Sequence, residues 1–233
     1  MAWNPYFEEW AAANGARVAG WICSSELGGG PSEHRTTACW SDDSNNRGQI
    51  RQHLTHKYAF GVPGDEALDC LARYAPLVEI GAGTGYWARC LRERGVDIVA
   101  YDVMGDSWRS WFRPSILAET RRDGTRAIEA RPHAERVEPV LWTEVVQGGP
   151  EVLRGHVERT LLLCWPDPWS GFDEVSLLAY PGARVAVVGE PGEAGPGSPG
   201  FQARLQRSWQ QIETAPVPRW PDSEDRLTVY GRR

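Results

Sequence analysis

Leu77-Val-Glu-Ile-Gly-Ala-Gly-Thr-Gly-Tyr-Trp87 is the stretch that decides the fold. A short apolar run, Leu77 to Ile80, breaks off at three glycines spaced two apart. A helical segment, Tyr86 to Arg94, follows and is closed by Gly95. Gly81, Gly83 and Gly85 let the backbone turn sharply and let a ligand approach closely. The helix behind them offers free backbone N–H groups at its N-terminus. A nicotinamide-binding loop reads GxGxxG with Gly or Ala in sixth position, and the residue here is Tyr86. Two residues upstream of the loop stands an acid, Glu79. A pyrophosphate disfavours that carboxylate; a ligand carrying positive charge suits it.

Outward from this stretch the chain alternates. Pro63 to Tyr74 reads as a helix, and Val96 to Tyr101 as a second strand ending in Asp102, seventeen residues beyond Gly85. A carboxylate there can accept two hydrogen bonds from ribose hydroxyls, so loop and acid together point to an adenosine-containing ligand. Residues 103–135 give no clear pattern. Val137 to Val146 holds a third strand, confined to its later part by Pro139. Pro150 to Gly155 is a short helix, Thr160 to Cys164 a fourth strand and Ala183 to Val188 a fifth. Pro191 to Gly200 is a loop, Phe201 to Gln211 a helix, and Ile212 to Val217 and Arg226 to Tyr230 are two more strands. Short apolar runs alternating with helices predict an α/β fold with a parallel sheet covered on both faces. Residues 1–57 differ: a helix from Trp3 to Asn14, then a turn-rich stretch from Ser24 to Gly48, form an N-terminal cap or lid segment before a domain spanning 58–233.

The whole-chain numbers bound the answer. At 233 residues with 41% hydrophobic and 24% charged, the chain fits one domain plus a small cap. No run of 18 apolar residues is present, and the first residues carry Glu8 and Glu9 with no basic region, so neither a membrane span nor a signal peptide is expected. A net charge of −6 disfavours a broad nucleic-acid footprint. The five cysteines, Cys23, Cys39, Cys70, Cys90 and Cys164, are odd in number and widely spaced, which predicts a reduced, cytoplasmic protein. No Cys/His cluster or acid pair has metal spacing, and no metal is expected. Twelve tryptophans against five phenylalanines is unusual, and some of those rings have to line a site or build the core.

The second informative segment is Leu161-Leu-Leu-Cys-Trp-Pro-Asp-Pro-Trp169. Ligands of open α/β sheets sit at the carboxyl ends of strands. Two prolines fix an extended exit from the fourth strand, so the loop can present Asp167, Trp165 and Trp169 to the cleft. Glu190 ends the fifth strand on the same edge, and Trp108 and Trp111 follow the second. His56 is a candidate general base, with a plain surface histidine as the alternative. Trp87, Trp142, Trp209 and Trp220 are most cheaply explained as packing, and Trp3, Trp10, Trp21 and Trp40 belong to the cap.

On Val78-Glu-Ile-Gly-Ala-Gly-Thr-Gly85 and Ala100-Tyr-Asp102 the chain resembles the class I S-adenosylmethionine-dependent methyltransferases. At Leu162-Leu-Cys-Trp-Pro166 it also looks like a largely uncharacterised methyltransferase-like group with Leu-Leu-Cys-Trp-Pro-Pro at this place; here Asp167 interrupts the double proline. The resemblance implies a Rossmann-like, mostly parallel seven-stranded sheet with helices on both faces, its last strand inserted antiparallel. It implies S-adenosylmethionine as cofactor, with Gly81, Ala82, Gly83 and Gly85 under the methionine part and ribose, Glu79 near the ammonium and Asp102 on the ribose. Gln147, or a backbone group near it, would face the adenine, and Tyr58 and Phe60 would pack on the adenosine. Methyl transfer to an O, N or C nucleophile of a small molecule follows, with Asp167, His56 or Glu190 orienting or deprotonating it and Trp108, Trp111, Trp165 and Trp169 walling the substrate. Two alternatives stay open: intramolecular cyclisation of the aminobutyrate chain with release of methylthioadenosine, and a non-catalytic binding module. Neither a nucleic-acid nor a membrane partner is expected, and the oligomeric state is open.

Overall fold

A computed structural model describes residues 4–14, 51, 54–55, 57–103, 116–120, 126–130, 141–167, 170–190, 196–220 and 223–233. Strand β1 (Leu77–Ile80) is buried at every position, as a strand covered on both faces must be. It pairs in parallel with β2 (Ile98–Asp102) on one side and β6 (Thr160–Cys164) on the other, so that Glu79 stands between Ala100 and Leu162. The two-residue strand β5 (Val146–Gln147) extends β2 in parallel, and β7 (Arg184–Gly189) extends β6. The remaining pairs are antiparallel: β9 (Arg226–Arg232) lies between β7 and β8 (Trp209–Pro216) and runs against both. The order is β5-β2-β1-β6-β7-β9-β8.

The sheet is therefore mixed where alternating strands and helices predict a parallel one. The cause lies in the last connection. Only nine residues, 217–225, separate β8 from β9, too few for a crossover, which takes a dozen or more, so β9 comes back beside β8 antiparallel.

Side chains alternate across the sheet with the period of two that strands impose. Leu77, Leu162, Ala186 and Val188 face one core together with residues of helices α1 (Pro5–Asn14), α2 (Asp65–Arg73) and α3 (Tyr86–Glu93). Val78, Leu161, Leu163, Val185 and Val187 face the other, with Leu177 of α4 (Phe172–Ala179) and Phe201 and Leu205 of α5 (Pro199–Ser208). The N-terminal helix is part of the first core: Tyr6, Trp10 and Ala11 are all buried there. The turn-rich stretch after it lies outside the described residues.

Several boundaries move. The helix expected over 63–74 starts at Asp65 because Gly64 is extended, with ψ 160°. From residue 141 on, the third strand is limited to Val146–Gln147. Trp142 before it donates its backbone N–H to the Thr84 carbonyl (2.9 Å) and its indole N–H to the Lys57 carbonyl (2.7 Å), which ties this segment to loops instead of a ladder. The unpatterned 103–135 contains an antiparallel hairpin of its own, β3 (Ile116–Thr120) with β4 (Arg126–Ala130). Helix α4 went unpredicted. The helix expected over 201–211 stops at Ser208, and its last three residues become strand β8. There Trp209 stacks on Tyr180 at 6.3 Å under the Arg232 guanidinium at 4.5 Å, so tertiary burial overrides helical continuation.

Candidate functional site

The glycine loop joins β1 to α3 at the carboxyl edge of the sheet. Gly81, Gly83 and Gly85 have φ of 72°, 54° and 73°, the left-handed region that side chains avoid. Gly85 is the N-cap of α3, and a Cβ there would lie 2.7 Å from Val145 Cγ2 and 3.0 Å from Thr143 Cγ2, so Gly answers both a dihedral and a packing demand. The loop is tied to the end of β2 twice: Ala82 N–H donates to the Tyr101 carbonyl (3.0 Å), and Gly83 N–H to Asp102 Oδ2 (2.9 Å). Gly81 itself is exposed, with Phe172 at the foot of α4 beside it.

Glu79 lies beneath this loop at 1% exposure. Its Oε2 makes no hydrogen bond within the described residues. Burial pushes its carboxyl up to about 8, against the pull of the Arg92 guanidinium and the Ala88 N–H, and Asp102 raises it further. A buried carboxylate oxygen without a partner costs on the order of 1–3 kcal/mol. A carboxyl left so at the floor of a glycine cradle fits a cationic ligand group.

Asp102 is 6% exposed and holds the Gly83 N–H, so it organises the loop. Gln147 sits opposite Asp102 in the β2–β5 register, is exposed, and donates from Nε2 to the Val103 carbonyl (3.2 Å).

Tyr58 is placed differently from expectation. It is 1% exposed, its ring stacked on Tyr6 (4.8 Å) and on Trp142 (5.1 Å), with Tyr86 edge-on at 4.9 Å. Its hydroxyl donates to Glu9 of α1 (2.6 Å). Its role here is to pin the N-terminal helix; no face is left open to a nucleoside. Phe60, two residues on and 48% exposed, retains an open ring.

At the exit of β6 the chain turns abruptly. Trp165 has φ 50°, the one non-glycine residue among those described in the left-handed region, and it precedes Pro166, which disfavours helical conformations further. Such backbone costs roughly 1–3 kcal/mol and persists where its surroundings enforce it. Here the Trp165 N–H is held by the Val188 carbonyl at 2.9 Å. Asp167 accepts from the Ser170 N–H (3.2 Å) and from its hydroxyl, closing a local turn before α4. Glu190, at the end of β7, accepts from the Glu224 N–H (3.2 Å).

Three residues without a sequence signal meet at this exit. The Arg51 guanidinium carbon lies 5.8 Å from the Trp165 ring and 5.9 Å from the Trp220 ring, and Asp225 stands just ahead of β9. Because β9 runs against β7, its first residue, Arg226, pairs with Gly189, which brings Asp225 to the same edge as Glu190. Burial raises the Asp225 carboxyl pKa, which the Ser223 and Trp165 side chains and Arg51 oppose and Glu190 reinforces. Cys164 links the two regions: burial raises its thiol well above the usual range, and Glu79 and Asp225 both add to that.

His56, Trp108, Trp111 and Trp169 lie outside the described residues, as do Cys23 and Cys39. Among the described residues Cys70, Cys90 and Cys164 are free thiols, no group of three His, Cys, Asp or Glu side chains could hold a metal, and no helix is long and apolar enough to cross a membrane. No protein-family model matches the chain, and no curated protein matches it.

Proposed function

We propose that this chain is a class I S-adenosylmethionine-dependent methyltransferase acting on a small molecule. The observation that carries this is Glu79: a buried carboxyl whose Oε2 makes no hydrogen bond among the described residues, under a glycine loop that is itself tied to Asp102. An α/β fold whose mixed seven-stranded sheet has β9 antiparallel between β7 and β8 supports it.

When bound, the cofactor supplies a methyl group on a sulfonium. The chain's own residues do the rest. Glu79 offers the negative charge for the ammonium, and ionising it in place of its protonated form makes cofactor binding release a proton. Asp102 accepts from hydroxyls while it holds Gly83, so cradle and hydroxyl recognition are one unit. Gln147 lies beside it for the adenine. The strained exit at Trp165 fixes the acceptor side of the cleft, and Glu190 orients the nucleophile there. Asp167, closed on Ser170, shapes the loop. Catalysis of this kind rests on positioning and the exclusion of water.

Calorimetry with S-adenosylhomocysteine tests this. Binding is expected, weakened at least tenfold by Glu79→Gln and by Asp102→Asn. No heat with the folded wild type would sink the reading.

A further inference from the structure

We propose that Trp165, Trp220 and Asp225 form a receptor for an organic cation, guanidinium or alkylammonium, and that Arg51 occupies it in the free protein. This rests on the reading above in one respect only: the carboxyl edge beside β6 is taken as the acceptor side, so the cation belongs to the methyl acceptor.

The geometry is that of a cation box. Arg51 lies within cation–π range of two indoles at once, 5.8 and 5.9 Å from their centroids. Trp220 and Asp225 are each 2% exposed and Trp165 is half-buried, so two of the three walls are built into the protein and the third closes its rim. Asp225 Oδ1 makes no hydrogen bond within the described residues, which leaves a buried anionic oxygen for a donor. Glu190 adds a second negative charge close enough to raise the Asp225 carboxyl pKa, and the Arg51 charge acts on both Asp225 and Tyr6. One cation against two acids leaves the box net negative.

The strain at Trp165 makes sense in this light. A tryptophan in left-handed backbone before a proline is an expensive way to fill a core, but it turns the indole across the strand exit toward Arg51. Arg51 itself is only half-buried and comes from the segment ahead of the domain, so the cation in the box is supplied from outside the sheet. An incoming ligand of the same charge and shape can take its place with no change in the walls.

Titration of Arg51→Ala with ethylguanidinium, followed by the indole N–H signals in NMR, tests the proposal. The variant should bind the probe at least tenfold more tightly than the wild type, in which Arg51 competes, and Asp225→Asn in the same background should abolish the gain. Equal affinity of wild type and Arg51→Ala, or binding that survives Asp225→Asn, overturns it. Should Arg51→Ala fail to fold, the wild type is titrated beside Asp225→Asn and Trp165→Phe. A response at high probe concentration that weakens in both variants supports the box, and equal or absent response in all three overturns it. S-adenosylhomocysteine binding to the same proteins keeps the two ideas apart. Cation binding without cofactor binding sinks methyl transfer alone; cofactor binding without cation binding sinks the box alone.

Discussion

Glu79 is held protonated by its surroundings, and that has a consequence for stability. Its folded pKa, about 8, lies above the ordinary carboxylate value, so between those limits the native state binds more protons than the unfolded chain. Stability contributed by the neutral acid is fully present below the unfolded pKa and is lost as pH rises through the folded one. The slope approaches about 1.4 kcal/mol per pH unit for a single proton. Asp225 is shifted in the same direction and adds to the trend. Glu79→Gln mimics the protonated acid and should therefore flatten the dependence. In urea denaturation at pH 5, 6.5 and 8, the variant should gain on the wild type as pH rises. A stability difference that stays constant across the three pH values would refute the assignment. The acid was legible in the sequence as a residue, by its place ahead of the glycines. That its Oε2 finds no hydrogen-bond partner among the described residues was not, because partners come from α3 and β2, which the strand itself does not encode.

At the scale of elements, the glycine loop and α3 behave as one unit. Gly85→Ala would place a Cβ 2.7 Å from Val145 in a backbone that alanine resists, and about 1–3 kcal/mol of stability should go with it, measured by thermal or urea unfolding. On the proposed function, affinity for S-adenosylhomocysteine should fall too, because the same turn aims the loop; full stability in Gly85→Ala would contradict the packing. Helix α1 has its own fastening. Asn4 Oδ1 accepts from the Phe7 N–H (3.1 Å) and the Tyr86 hydroxyl (2.7 Å), while Nδ2 donates to the Pro63 carbonyl (2.7 Å). Asn4→Ala removes a helix cap and two tertiary bonds and should cost about 1–2 kcal/mol. The strand–glycine–helix unit was readable because each step is a local signal. Helix α4 was not: it begins after Gly171 with no side-chain cap, and it is amphipathic only against a sheet face that exists once β6 and β7 are paired.

Across the whole molecule, α1 closes one face of the sheet through a ring cluster of Tyr6, Tyr58, Tyr86 and Trp142. Tyr6 is fully buried against Tyr58 and Tyr86, so Tyr6→Ala should cost about 3–5 kcal/mol and loosen the segment around Tyr58, seen as faster amide exchange at Tyr58 and Trp142. Unchanged exchange there would mean that α1 is not part of the core. The tryptophan excess divides accordingly: Trp87, Trp209 and Trp220 are buried, Trp142 joins the ring cluster, and Trp165 turns toward the strand exit. Sequence by itself determined the α/β class, the glycine turn, its acid and Asp102, because periodicity and backbone dihedral demands are short-range and written in neighbouring residues. The antiparallel last strand was already implied by the resemblance; only the tertiary structure decided that β8 begins at Trp209 and that Asp225, Trp220 and Arg51 meet beside Trp165. Those residues stand far apart along the chain, and only strand pairing across the sheet carries them to one edge.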